Sequence, residues 1–253
     1  MIIAPAPPRS LRVVTQTDHA ALAAEILRFW RADGVPTSPH RDALLFAARE
    51  HDNGWREVDA APRTRDDGRP HDFRSMPEAL RIELWNQGVA RHAASADLGT
   101  ADPEIACAAA LIAHHAIALH LGRVGPQWEA ARTDWTARRD ELLAASGLQL
   151  EELEHLYRFV DLTDMVSLAA CAGWTQRIEH RGVVIAPQEA PDAGDGSDRT
   201  TVALDPFPLA GATTFEVDAR TIEDRAYAGD AELAVSLASA PRWRLRVRLV
   251  ELR

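Results

Sequence analysis

Apolar residues recur along the first two thirds of the chain at the spacing of α-helices. They follow a short strand expected at Ser10–Gln16. Capping residues, glycines and prolines divide the apolar stretches into separate helices. The expected helices run from Thr17 to just before Gly34, up to His51, over about 77–94, 102–122 and 126–146, and onward from about 150. This pattern predicts a bundle, with the nearly all-apolar helix of 102–122 at its centre.

Beyond residue 182 the pattern changes to the alternation of half-buried strands. "GVVIA", "TTVAL" and "TTFEVDA" are short β-type runs, and "RWRLRVRLVEL" alternates apolar residues with arginines. The apolar positions expected to face inward are Trp243, Leu245, Val247 and Leu249. The sequence therefore predicts a mainly α protein, α+β overall. A helical bundle with a short N-terminal strand is expected over 1–181, and a small antiparallel β annex packed on it over 182–253. The N-terminal strand is a candidate to join this annex.

Composition excludes several classes of function. The formal charge of −10 disfavours a nucleic-acid partner. The chain contains no lysine, so it can form neither a Walker-type phosphate loop nor a Schiff base. Its two cysteines, Cys107 and Cys171, lie in apolar helical runs, which favours buried thiols and a cytoplasmic protein. No segment approaches the ~20 apolar residues of a membrane helix, and the N-terminus is unlike a signal peptide, so no membrane partner is expected.

Four predicted helical segments bring histidine or aspartate into apolar surroundings. Asp164 lies on a stripe where an apolar residue is expected, and a buried carboxylate needs a partner. A mixed imidazole and carboxylate set suits a divalent transition metal such as Fe, Mn, Zn or Co, bound between the facing helices of a bundle. The absence of cysteine from the set argues against a structural zinc site. The candidate ligands are His19, His51, Asp52, His114 or His115, and Asp164.

Simpler interpretations stay open for each of these residues. His19 has the position of an ordinary core histidine, and the pair His51-Asp52 has the position of a local hydrogen-bonding cap. His114 and His115 diverge by about 100° on a helix, so one of them is structural, and we favour His115 as the ligand. The remaining histidines are expected at the surface or in packing: His40, His92, His120, His155 and His180.

The residues His51–Gly54, "HDNG", resemble the H-D-x-G signature of the HD-domain superfamily of metal-dependent hydrolases. That superfamily combines a first histidine, a His-Asp pair and a final aspartate, and members with two metals add histidines between the pair and the final aspartate. The matching positions here are His19, His51, Asp52 and Asp164, with His115 or His114 in the added place. Many HD hydrolases carry a lysine where this chain has Trp55. Through "QTDHA", "HDNGW" and "DMVSL" the whole chain is also similar to an uncharacterised bacterial family of unknown function.

The HD resemblance implies an HD-like bundle and a metal-dependent phosphohydrolase. Its substrate would be a small soluble phosphoester or nucleotide, attacked by a water activated on one or two metal ions. The implied metal ligands are His19, His51, Asp52, His115 and Asp164, and Asp52 is also counted as catalytic. The loop "GRPHDF" offers Arg69 as a phosphate clamp and His71 or Asp72 as a proton donor. An HD-like diiron oxygenase and a non-catalytic binding or regulatory protein remain alternatives, and a homodimer is left open.

Overall fold

The computed structural model describes residues 1–6, 8–96, 102–188 and 199–253. Its helices are α1 (Gln16–Arg28), α2 (Arg41–Glu50), α3 (Arg56–Ala60), α4 (Glu78–Ala96), α5 (Pro103–Leu119), α6 (Pro126–Ser146), α7 (Leu150–Cys171) and α8 (Asp230–Ser239). Its strands are β1 (Ile2–Ala6), β2 (Ser10–Val14), β3 (Ile178–His180), β4 (Val183–Gln188), β5 (Arg199–Asp205), β6 (Thr213–Glu223) and β7 (Arg242–Glu251). Two short 3-10 turns, Val35–Thr37 and Asn53–Trp55, complete the regular structure of these residues.

The seven strands form one sheet in the order β1-β2-β6-β7-β5-β4-β3, and the sheet curls into a half-barrel. Neighbouring strands are antiparallel except β5 and β7, which are parallel. The N-terminal strands join the C-terminal ones through the pairing of β2 with β6, where Leu11 lies opposite Ile222. Both ends of the chain therefore contribute to the same sheet.

The expected fold class is wrong. A mainly α, HD-like bundle with a small C-terminal β annex does not describe a chain that is 51% helical and 21% strand with a seven-stranded sheet. The sheet is larger than expected because the N-terminal strand β2 joins it, which the sequence left open, and because the unpredicted β1 and β3 form its two edges. β1 contains Pro5, which suggests irregular chain, yet a proline is tolerated there because β1 is an edge strand. The predicted boundary at 181–182 falls in the turn between β3 and β4, which pair with each other.

The helices follow the apolar pattern more closely than the strands do. α5 begins as expected, with Asp102 as its N-cap and Pro103 in its first turn. α1 begins earlier than expected, because Thr15 rather than Thr17 is the N-cap and its hydroxyl accepts from the amide of Asp18. α8 was not predicted. Within the described residues, no helix combines the length and the hydrophobicity needed to cross a membrane.

The main core lies between one face of the sheet and the helices. Leu245, Val247 and Leu249 of β7 are fully buried there, as the alternation predicts, whereas Trp243 is partly exposed. α1 and α7 contact this face, and α5 lies deeper, against α2, α4, α6 and α7. On the other side of the sheet, α8 packs Leu233 into a small second cluster with residues of β2 and β6.

A buried arginine joins the sheet to the end of α7. Arg12 of β2 donates from Nη2 to the main-chain oxygens of Cys171, at 3.0 Å, and Ala170, at 3.4 Å. These carbonyls belong to the last turn of the helix, where no intrahelical donor remains for them. Burial lowers the pKa of Arg12, in part offset by Cys171. Both cysteines are free and buried, as expected.

Replacement of Leu249 by alanine tests the importance of the sheet to the core. Leu249 is 0% exposed on β7, the strand between β5 and β6, so Leu249→Ala is expected to lower the free energy of unfolding by about 2–5 kcal/mol. Val235 on α8 is 69% exposed, and Val235→Ala is expected to change the free energy of unfolding by less than about 0.5 kcal/mol. Urea unfolding of both variants measures the difference. Equal effects would contradict the assigned core.

Candidate metal centre

Five of the predicted ligands converge in the interior of the helical layer. They come from the start of α1, the residues just after α2, the middle of α5 and the second half of α7, and each is at most 5% exposed. The five are His19, His51, Asp52, His115 and Asp164. Residues from four separate parts of the chain thus meet where their side chains are almost fully buried.

Ring nitrogens and carboxylate oxygens face one another in this cluster. His51 Nε2 lies 3.4 Å from Asp164 Oδ1 and 3.7 Å from Asp52 Oδ2. His19 Nε2 lies 2.8 Å from Asp52 Oδ2 and 3.9 Å from Asp164 Oδ1. Two ligand atoms of a tetrahedral transition-metal ion lie about 3.3 Å apart. The spacing therefore matches that of a metal coordination sphere to within small movements of the side chains.

Two triads within the cluster meet the distance requirement for a cation. In the first triad, His19, His51 and Asp164, the three potential ligand atoms all lie within 4.8 Å of one another. The second triad, His51, Asp52 and His115, meets the same limit. Both triads include His51, which is therefore the central residue of the cluster.

The hydrogen bond of His51 determines which of its nitrogens faces the carboxylates. Nδ1 lies 2.8 Å from the main-chain oxygen of Ala48 and donates to it, because a carbonyl can only accept. In the neutral ring, Nε2 then carries a lone pair. Neither His51 Nε2 nor the facing Asp164 Oδ1 has a hydrogen-bond partner, although both are buried. Two lone pairs repel each other at this distance, so the pair requires a proton or a cation between them.

His19 is oriented in the same way by Ser167. The Ser167 hydroxyl donates to the main-chain oxygen of Asp164 at 2.8 Å, so it accepts from His19 Nδ1, also at 2.8 Å. A neutral His19 then directs an unprotonated Nε2 at the carboxylate of Asp52. Histidines that bind metals characteristically donate their other N–H to a carbonyl or hydroxyl in this manner.

The electrostatics of the cluster favour an anionic Asp52 and a positive charge beside it. Burial alone would raise the pKa of Asp52, but His51 and His19 outweigh it and lower that pKa to about 2. Burial alone would likewise lower the pKa of His51, but Asp52 and Asp164 raise it to about 9. A proton on His51 thus supplies the positive charge when no cation is bound. A metal ion would replace that proton.

The structure brings His115, and not His114, to the cluster. His115 is fully buried, its Nδ1 lies 3.0 Å from the hydroxyl of Tyr157, and its Nε2 has no partner. Burial, followed by the charge of His51, lowers the pKa of His115 to about 4, so the ring is neutral at pH 7 and can act as a ligand. His114 is partly exposed and packs edge-on against the ring of Tyr157, with 4.6 Å between the centroids.

Glycine is required in the "HDNGW" stretch because two backbones meet there. A Cβ on Gly54 would lie 2.0 Å from the main-chain oxygen of Leu84 in α4, and 3.3 Å from the Cα of Gly88. Asn53 stabilises the same contact, since its side-chain amide donates to the carbonyls of Glu50 and Gly88. This close approach fixes the turn that follows Asp52, and the fixed turn holds the carboxylate of Asp52 against the ring of His19.

Three residues predicted as catalytic lie in other hydrogen-bonding networks. Arg69 pairs with Asp224 at the surface. His71 Nδ1 lies 3.1 Å from the hydroxyl of Ser75. Asp72 accepts from the backbone amide of Ser75 and pairs with Arg74. The structure does not bring Arg69, His71 or Asp72 to the cavity described next, and their predicted roles remain predictions.

A cavity of about 140 Å³ lies beside the cluster and has Asp52 and Asp164 in its wall. Arg81 and Arg123 also line it, and aromatic side chains form much of the remaining wall: Trp55, Phe73, Trp85 and His120. A larger cavity of about 430 Å³, between α1, β6 and α8, has none of the five clustered residues in its wall. Of these two cavities, only the smaller one borders the carboxylates of Asp52 and Asp164.

The family described as "Protein of unknown function (DUF3891)" matches residues 1–224. The chain belongs to this family. The match covers α1 to α7 and β1 to β6, and so includes all five clustered residues. It confirms the expected membership of an uncharacterised family and gives no support to the HD-domain resemblance. Neither the curated proteins nor the solved structures contain a match to the chain.

Several residues that line the cavity of this DUF3891 protein were not predicted from the sequence. His120, expected in packing or at the surface, is 3% exposed and stacks on Trp128, with 4.8 Å between the ring centroids. It closes α5, five positions after His115 and off the stripe of that residue, so helical spacing gave no signal for it. The sequence around Arg81 contained no signal for a role in the cavity either. Gln16 stands in the "QTDHA" stretch, but only the histidine of that stretch was singled out.

Replacement of Gly54 by alanine tests the close contact behind the turn. The added methyl group has no room against Leu84, so Gly54→Ala is expected to lower the free energy of unfolding by at least ~2 kcal/mol. Gly122 provides a matched control, because a Cβ there would meet nothing within 4 Å. Gly122→Ala is expected to leave stability nearly unchanged. Chemical denaturation of both variants makes the comparison, and a tolerated Gly54→Ala would contradict the packing.

Proposed function

We propose that this protein is a metal-dependent hydrolase that cleaves a small phosphoester with a water activated at the buried histidine and aspartate cluster. One observation carries the proposal. Imidazole nitrogens that carry no proton in the neutral ring face carboxylate oxygens at 2.8–3.7 Å in a region closed to solvent. Such an arrangement is costly without a positive charge at its centre.

In this proposal His19, His51, Asp52, His115 and Asp164 hold a divalent transition metal such as Fe, Mn, Zn or Co. Both triads use His51, whose Nδ1 donates to the carbonyl of Ala48. Only the single lone pair of its Nε2 is left to coordinate an ion. We therefore assign a single ion rather than two. A bound ion of this type lowers the pKa of a coordinated water from ~15.7 towards ~7 and stabilises charge on a phosphoryl oxygen.

The cavity supports an anionic substrate and offers a proton acceptor. In hydrolysis, the oxygen of water bonds to phosphorus as the ester P–O bond breaks, and the leaving alcohol takes up one of the two protons of the water. We assign His120 as the group that accepts that proton and returns it to the alcohol. Its Nδ1 donates to the carbonyl of Ala116, which leaves Nε2 as the acceptor. Burial lowers the pKa of His120 to about 4, so it is neutral at pH 7 and can accept a proton.

Metal content is the first test of the proposal. Protein purified without chelator is expected to carry close to one transition-metal ion per chain. His51→Ala is expected to lose most of it, because both triads then lack a ligand. Removal of the ion by chelator is expected to lower the Tm of the wild type, since a ligand that binds only the folded state stabilises it. Elemental analysis and thermal unfolding provide the measurements.

His155 provides the control for that experiment, since it is exposed on α7 and lies outside the cluster. His155→Ala should keep the metal content of the wild type. If wild type and His51→Ala hold equally little metal after reconstitution with Fe, Mn, Zn or Co, the metal centre is disproved. The cluster would then be a hydrogen-bonded network in a binding or regulatory protein.

Catalysis by His120 is tested with the metal-reconstituted protein and a panel of phosphoesters. The wild type should release inorganic phosphate from at least one of them, and His120→Gln should lower kcat by about 100-fold, the usual contribution of a general acid or base. Metal content should not change in that variant. His155→Gln is the matched control and should keep full kcat. Uptake of dioxygen without release of phosphate would instead support the oxygenase alternative.

A further inference from the structure

We propose that Arg81, Arg123 and Trp55 form a receptor for the phosphate group of a small phosphomonoester, and that the cavity is too small for a whole nucleotide. The inference rests on the proposed function, because the receptor faces the same carboxylates that would hold the metal. It goes further by naming the substrate class and the residues that select it.

The two arginines place like charges in one wall of the cavity. Burial lowers the pKa of Arg81, and the charge of Arg123 lowers it further. Arg81 donates to the carbonyls of Phe73, at 2.8 Å, and Arg74, at 3.0 Å, which hold the guanidinium in place. In the described part of the chain no carboxylate oxygen lies within ion-pair distance of Arg81, whereas Arg123 Nη1 lies 3.6 Å from Oε1 of the exposed Glu78. A phosphate dianion would pair with Arg81 and compete with Glu78 for Arg123.

Polar atoms in the same wall lack partners within the protein. Trp55 Nε1 and Gln16 Oε1 are buried without a hydrogen bond, and so is Arg81 Nε. Both Trp55 and Gln16 line the cavity and are almost fully buried. A buried donor or acceptor without a partner costs about 1–3 kcal/mol. A phosphate oxygen would accept from the indole N–H, and a hydroxyl on the substrate would donate to Gln16.

The size of the cavity sets an upper limit on the substrate. At about 140 Å³ it lies well below the ~300–1,000 Å³ of pockets that enclose drug-sized ligands. A phosphate group with a short carbon chain fits such a space, and a nucleoside attached to the phosphate does not. The rings of Trp85 and Phe73 suit contact with the carbon atoms of such a chain. The charge of the two arginines, the unpartnered donors and the volume of the cavity thus all favour a small phosphomonoester.

The receptor is tested by titration of wild type and variants with inorganic phosphate, in a calorimeter and at low ionic strength. Arg123 is 44% exposed, so Arg123→Gln is expected to fold normally and to bind phosphate at least tenfold more weakly. Trp55→Phe keeps the ring but removes the indole N–H, and it is expected to weaken binding by about fivefold. Arg28, exposed at the end of α1, is the matched control, and Arg28→Gln should bind phosphate as the wild type does.

The outcomes separate this inference from the proposed function. Metal-loaded protein whose phosphate affinity is the same in wild type, Arg123→Gln and Trp55→Phe would overturn the receptor and leave the metal centre standing. Phosphate binding that is lost in Arg123→Gln, in protein without metal, would support the receptor while the proposed hydrolase fails. The size limit is tested by kcat/KM, which should favour glycerol phosphate over a nucleoside monophosphate. A preference for the nucleotide would overturn it.

Discussion

Two buried carboxylates that face imidazole nitrogens are the constraint on which the helical layer depends. Neither Asp52 nor Asp164 can be anionic in a solvent-free interior without a positive charge close by. The nitrogens that face them cannot all supply it, because His51 and His19 already use their Nδ1 hydrogens on Ala48 and Ser167. The cluster therefore requires either extra protons or a metal ion, and α1, α5, α7 and the turn after α2 must stay in position to satisfy it.

Backbone packing holds these helices and the turn after α2 in position. The contact between Gly54 and Leu84 ties the turn after Asp52 to α4, and the turn carries Asp52 with it. Ser167 lies one turn after Asp164 on α7, and its hydroxyl links the ring of His19 to the main-chain oxygen of Asp164. The sheet contributes from the far end, since Arg12 engages the last carbonyls of α7. The turn that carries Asp52 and the helices that carry His19 and Asp164 are thus held in place by contacts to main-chain atoms.

Local periodicity was enough to single out the histidines and aspartates that cluster, but not their surroundings. His19 and Asp164 were visible because a polar residue interrupts an apolar stripe, and such an interruption is a property of a single helix. The sheet could not be predicted in the same way, since the pairing of β2 with β6 joins opposite ends of the chain. The cavity is non-local for the same reason. Arg81 lies in α4 and Arg123 after α5, so nothing in either segment indicates that both line one space.

The protonation of the cluster explains how one fold can exist with and without a cation. Because Asp52 and Asp164 raise the pKa of His51 to about 9, the ring holds a proton at neutral pH when no ion is bound. That proton lies where Nε2 faces Asp164 Oδ1, at 3.4 Å, and it neutralises the same repulsion that a metal ion would. In the proposed metal centre a bound ion would exchange this positive charge for a larger one, and the present spacing of the side chains would already suit it. The selectivity of the proposed centre would then lie in the softness of its nitrogen and oxygen donors rather than in a folding transition.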